Sequence, residues 1–297
     1  MMAKNLRMTG TPLGLSSHKV NTWWHGLEIK KEGGALLFTG LLYQLTPYIV
    51  QVTKRLYGLE NTPLEGLVSA SGILPSYMIG GFLKPKSADI EQFNSIIRKI
   101  SLILSKSGVD FSYNPELDFY SGALLYDLGC DEAFEEHARY VAGKLEKRGI
   151  KRLITIDPHT TYTMKVLYPE YAGAEFQVIN YLDLIQPKAK GDAEVTIHDP
   201  CYYARYLDIY DQPREVLKAL GMHCVDVKNS KKMTYCCGAP IESISPKLSK
   251  EIARVRFTEL KETGCEVVTM CPLCLANLKD FGDVKDISEV IWRACHD

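Results

Sequence analysis

The sequence predicts an α/β protein with mostly parallel sheet, assembled from two Rossmann-like units in tandem. β-Branched and aliphatic runs alternate with amphipathic segments along the chain, the pattern of strand–helix–strand units. Helix start and stop residues separate the runs, most clearly in the last third. Stretches of the first half also align without gaps to stretches of the second, the mark of an internal repeat. With 297 residues there is chain enough for two units with apolar cores; the expected division is 1–185 and 186–297.

In order along the chain, "GALLF" (34–38) reads as a strand feeding "TGLLYQL" (39–45). The apolar stretch "GLVSASGILPSYMIGGFL" (66–83) is uncharged and about long enough to span a bilayer, but Pro75 and four glycines break it. A helical hairpin, buried or covered by a partner, is expected there, with membrane contact peripheral at most. "YSGAL" (120–124) precedes "EEHARYVAGKLEKRGIKR" (135–152), whose alternating charges at i, i+4 spacing suit a solvated helix face. "TIDPHTTYTMK" (155–165) reads as a strand end and an exposed loop in which Asp157, Thr160 or Thr161 caps a helix.

The second half repeats the plan. "AEVTIHDPC" (193–201) is a short strand running into Cys201, and "QPREVLKALG" (212–221) a helix with Pro213 near its start and Gly221 past its end. "HCVDV" (223–227) is the next strand, followed by the loop carrying Cys236 and Cys237. "SPKLSKEIARVRFTELKETG" (245–264) has Ser245 as N-cap, Pro246 at N1, Gly264 as stop, and Leu248, Ile252, Val255 and Leu260 as its expected buried stripe. Strand "CEVVTM" (265–270) then delivers "CPLC" (271–274). Each cysteine group thus follows a strand end, and in a parallel sheet those ends share one edge.

The repeat locates what the first half lacks. "TIDPHTTYTMK" aligns with "TMCPLCLANLK" (269–279), "YSGAL" with "CCGAP" (236–240), and "FTGLLYQL" (38–45) with "HDPCYYAR" (198–205). Leu41, Tyr120, Ser121, Asp157 and Thr160 therefore stand where the second half has Cys201, Cys236, Cys237, Cys271 and Cys274. The first copy is expected to be a scaffold without thiols, carrying the apolar stretch as an insertion.

A formal net charge of −1 offers no field for nucleic acid or anionic membranes, so neither is expected as a partner. No G-x-G-x-x-G or G-x-x-x-x-G-K-[ST] is present, which disfavours a nucleotide-binding enzyme. The first thirty residues show neither the apolar run nor the cleavage site of a secretory leader, so a cytoplasmic location is expected. In a reducing compartment the nine cysteines point to metal or redox chemistry rather than disulfides. Five of them form the pattern C-x34-CC-x33-C-x-x-C. A single zinc takes four ligands, usually from two separate knuckles, and only one knuckle, Cys271 to Cys274, is present. Adjacent thiolates suit a polynuclear cluster, where each can bind a different iron. Spacing favours an iron–sulfur cluster and leaves zinc or unligated thiols open.

"HDPCYYARYLDIYDQPREVL", "CCGAP" and "CPLCLANL" together resemble the cysteine-rich CCG domain of the heterodisulfide reductase B subunit, also found in iron–sulfur subunits of glycolate, lactate and succinate oxidoreductases. The resemblance implies tandem CCG domains and one non-cubane [4Fe-4S] cluster held by Cys201, Cys236, Cys237, Cys271 and Cys274. It also implies an oxidoreductase subunit acting on sulfur groups. The family's symmetric disulfide cleavage uses two such clusters, and this chain has ligands for one. The opening "TGTPLGLSSHKVNTWWHGLE" with "GALLFTGLLYQLTPYI" resembles the second B-type subunit of the sulfur-oxidising heterodisulfide-reductase-like complex. That implies flavoprotein and ferredoxin-like partner subunits and a sulfur-containing substrate, with a lipoate carrier as one form of it. A zinc-holding structural or assembly subunit is the alternative.

His198, Tyr202 and Arg205 flank the first motif cysteine and are the catalytic candidates: an imidazole that could donate to cluster sulfur or protonate a leaving thiolate, and an aromatic or cationic lip over a substrate. A satisfied buried imidazole is the plainer role for His198, and packing or surface ion pairing for Tyr202 and Arg205. Asp157 and His159 could hold zinc, although no thiol lies near them in sequence. Cys130, Cys224, Cys265 and Cys295 are expected as small buried apolar residues.

Overall fold

The computed structural model describes residues 2–60, 84–186 and 192–295; the apolar stretch 66–83 lies outside them. The expected α/β architecture is present as two four-stranded parallel sheets, one in each half. In the first, β1 (Ala35–Phe38), β2 (Phe111–Ser112), β3 (Arg152–Thr155) and β4 (Gln177–Asn180) lie in the order β2-β1-β3-β4. In the second, β5 (Glu194–Ile197), β6 (His223–Cys224), β7 (Glu266–Thr269) and β8 (Val284–Asp286) take the same order, β6-β5-β7-β8. The central strands are aliphatic and almost wholly buried because helices cover both faces of such a sheet.

β6 is shorter than the expected 223–227: only His223 and Cys224 pair, with Glu194 and Val195. It lies at the sheet edge, and from Val227 on the chain leaves for the cysteine-bearing loop.

The helices form where capping and burial agree. Ser245 Oγ accepts from Leu248 N, Pro246 opens the helix Pro246–Lys261, and Gly264 lies beyond it in the left-handed region. Of the expected stripe, Leu260 is buried and Ile252 partly so, but the other two residues are not. Leu248 and Val255 are about half exposed, while Ser249, Ala253, Arg256, Phe257 and Leu260 point inward. Ser249 and Ala253 are small and let the helix approach the CCG loop, where a Cβ on Gly238 would stand 2.4 Å from Ser249 O. The helix Asp131–Lys147 turns Phe134, Ala138, Val141 and Leu145 inward and its charges outward, with Arg139 and Glu135 paired one turn apart.

The halves share one core that runs from Trp23 and Tyr43 to Cys271 and Ile291. The helix Leu42–Leu59 packs on Pro272–Leu278 and Pro246–Lys261, and Ser87–Lys106 packs on Ile287–Ala294. Polar ties cross the same seam: Tyr43 Oη donates to Asp286 Oδ2 at 2.7 Å, and Thr53 Oγ1 to Glu242 Oε2 at 3.0 Å. Among the described residues no helix is long and apolar enough to cross a membrane.

Cys130, Cys224, Cys265 and Cys295 are partly exposed rather than buried. Each lies at the end of an element: two at helix caps, one on edge strand β6, one just before β7.

Candidate metal centre

β5 and β7 are adjacent, and their connections leave toward opposite sides of the sheet. Such a switch in direction at the C-terminal ends of the strands is where α/β sheets build sites. Cys201 lies four residues past β5 and Cys271 two past β7, at the N-cap of the helix Pro272–Leu278 that carries Cys274. Cys236 and Cys237 arrive on the loop after β6.

That loop is held from the first motif. Asp199, fully buried, accepts from Arg214 Nη1 at 2.8 Å and Nη2 at 2.9 Å, and from Lys231 N at 2.7 Å. Its carbonyl accepts from Thr234 Oγ1 at 2.9 Å. Asn277 Nδ2 donates to Cys237 O at 2.7 Å. Gly238, at φ 86°, turns the chain immediately after the cysteine pair, and Gly122 does the same at φ 97° after Tyr120 and Ser121. The repeat seen in sequence is thus a repeat in backbone conformation.

The five motif cysteines converge. Their thiols form a chain of sulfur contacts, Cys201 to Cys236 to Cys237 to Cys274 to Cys271. Cys237, Cys271 and Cys274 are buried, Cys201 and Cys236 half-buried, and none is in a disulfide. Thiol donation from Cys201 and Cys237, with the Gly238 amide 3.3 Å away, stabilises Cys236 as thiolate. Burial opposes ionisation of Cys271, but donation from Cys274 and the charge and hydrogen bond of His159 outweigh it and bring its pKa to about 5. Cys201, through its hydrogen bond to Cys236, and Cys237 and Cys274 are pushed upward. This donor set of clustered, buried, unbridged thiols fits a soft metal group.

Residues 195–279 match the cysteine-rich CCG domain. Curated proteins are similar over about two thirds of the chain. A component of the dihydromethanophenazine:CoB–CoM heterodisulfide reductase of Methanosarcina barkeri is 30% identical over 65% of this chain and 54% of its own length. A protein of Chromohalobacter salexigens named "Probable membrane-anchored ferredoxin" is 34% identical over 67% of this chain and 33% of its own. An EtfAB:quinone oxidoreductase of Syntrophomonas wolfei is 26% identical over 69% and 32%. The chain therefore spans between about a third and about a half of these relatives.

The remaining candidates from sequence lie around the CCG cysteines. His198 is fully buried, with a ring nitrogen within 4.8 Å of the Cys237 and Cys274 sulfurs. Tyr202 turns toward the first half, where its hydroxyl donates to Asp127 and its ring lies 4.5 Å from that of His159. Arg205 binds the carbonyls of Thr234 and Lys232 and so braces the loop before the cysteine pair.

The first half supplies more to this site than sequence suggested. Asp157 and His159 are buried at the seam rather than on an exposed loop, although Asp157 does cap its helix, accepting from Thr160 N at 2.9 Å. His159 contacts Cys271, and its Nδ1 lies 3.3 Å from Asp127 Oδ2. Burial opposes its charge, but Asp127 and Cys271 outweigh that and raise its pKa well above the ordinary value. Leu41, Tyr120, Ser121, Asp157 and Thr160 are all fully buried among protein atoms. Gly40 abuts Thr160, Tyr120 Oη accepts from Leu124 N at 2.7 Å, and Ser121 O accepts from Tyr168 Oη at 3.1 Å. Sequence reasoning passed over Asp199 and Arg214, which lie inside the quoted motif, and Arg256, which lies outside the apolar stripe read from its helix.

Proposed function

We propose that this chain is the iron–sulfur redox subunit of a heterodisulfide-reductase-like complex, in which Cys201, Cys236, Cys237, Cys271 and Cys274 hold one non-cubane [4Fe-4S] cluster. The observation that carries the reading is the unbroken run of contacts linking five thiols at the C-terminal edge of one parallel sheet. Such a run has more donors than one zinc takes. When bound, the cluster supplies one-electron redox chemistry beside a sulfur substrate. The chain's own residues hold and shape the site: Asp199, Arg214 and Arg205 brace the loop, and His159 stabilises the Cys271 thiolate from the first half. The half 1–185 acts as a ligand-free scaffold that covers the cluster edge.

Relatives named as reductase subunits and as an EtfAB:quinone oxidoreductase support a role within a larger complex. The partners in this reading are flavoprotein and ferredoxin-like subunits, and the substrate is a thiol or disulfide, free or lipoate-borne, as in the sulfur-oxidising complex. Anaerobic purification followed by iron, zinc and acid-labile sulfide analysis tests it. About four irons with matching sulfide per chain is the expected result. Zinc without sulfide would establish the structural alternative.

A further inference from the structure

Arg256 is a cation with no exposed side-chain surface, set among the residues that back the cysteine site. All three of its nitrogens donate. Nη1 reaches Asn229 O at 2.8 Å and Glu259 Oε2 at 2.6 Å, Nη2 reaches Thr234 Oγ1 at 3.2 Å, and Nε reaches His198 Nδ1 at 3.0 Å.

A guanidinium can only donate, so His198 Nδ1 must accept. The imidazole then carries its proton on Nε2. Nε2 is completely buried and meets no protein acceptor among the described residues. A ring nitrogen of His198 lies within 4.8 Å of the Cys237 and Cys274 sulfurs. An N–H cannot ligate a metal, so this histidine is excluded as a fourth zinc donor. A buried donor without a partner is costly, and sulfur is the acceptor at hand.

We propose that Arg256 is a positioning residue that locks His198 as an Nε2–H donor to the sulfur of the group bound by Cys237 and Cys274, and so raises that group's reduction potential. The inference rests on the five-cysteine reading above. A hydrogen bond to sulfur favours the more negative, reduced state. Losing it should shift the reduction equilibrium by about tenfold, which for a one-electron couple is about 59 mV.

The test uses anaerobic holoprotein, with iron and sulfide measured in every sample. His198→Leu and Arg256→Met should lower the midpoint potential by about that amount at unchanged loading, and His198→Gln, which keeps an N–H, should restore most of it. Pulsed EPR of wild-type protein labelled with 15N-histidine should show a weak nitrogen coupling that survives His159→Gln. That measurement decides the matter if the variants do not fold. Unmoved potentials at full loading, or no such coupling, would overturn the inference alone. Wild-type protein lacking iron and sulfide would overturn it together with the five-cysteine reading.

Discussion

Replacing Asp199 with Asn should destabilise the protein and loosen the loop that carries Cys236 and Cys237, which Asp199 holds from the first motif. Asp199 is fully buried, and the Arg214 side chain that grips it with two nitrogens is only 12% exposed. Removing one partner of a buried ion pair costs about 3–5 kcal/mol, because the other charge is stranded. Arg214 retains Asp226, whose Oδ1 lies 2.6 Å from Nη2, so the lower end, about 3 kcal/mol, applies. The backbone amide of Lys231 also loses an ionised acceptor, which loosens the approach to the cysteine pair. Paired urea-denaturation curves on anaerobic protein would read the stability, and iron per chain would read the site. Asp226→Asn is the control: that carboxylate is 36% exposed, and its loss should cost no more than about 1 kcal/mol and leave iron unchanged. Equal effects of the two substitutions, or wild-type stability in Asp199→Asn, would refute the clasp.

Three further expectations follow from the same geometry. Cys237→Ser or Cys271→Ser should strip or convert the cluster, because a poorly ionised hydroxyl replaces a thiolate, whereas Cys295→Ser at a partly exposed helix end should keep full iron and an unchanged EPR signal. Gly238→Ala should cost more than about 3 kcal/mol and lower iron loading, since a Cβ would meet Ser249 O at 2.4 Å in a left-handed turn; Gly264→Ala, with φ 73° but open space around it, should cost only about 1 kcal/mol in the same denaturation assay. Burial raises Asp286 to a pKa of about 6, so the folded state holds that proton more tightly than the unfolded chain and stability falls as pH rises toward 6. Between pH 5 and 7 this group should account for about 1 kcal/mol of that loss, and Asp286→Asn should remove it from the measured pH dependence.

Local sequence determined the strands, the caps and the order of the cysteines. Short aliphatic runs can only be buried strands in a chain that alternates them with capped helices, and Gly122 and Gly238 mark the same left-handed turn because only glycine adopts it freely. Which face of a helix turns inward is decided elsewhere. Leu248 and Val255 have the spacing of a core stripe, yet Arg256 is buried in their stead, because its guanidinium finds Glu259, Asn229, Thr234 and His198 together only after the sheet has formed. The placement of His159 has the same origin. It is 112 positions from Cys271 along the chain, and no local pattern links them; they meet because the segment after β3 packs on the segment that follows Cys201, at the seam of two halves that share a core. Periodicity and capping act over a few residues, whereas partners for buried charge and thiolate are supplied by whatever the fold brings within hydrogen-bonding distance.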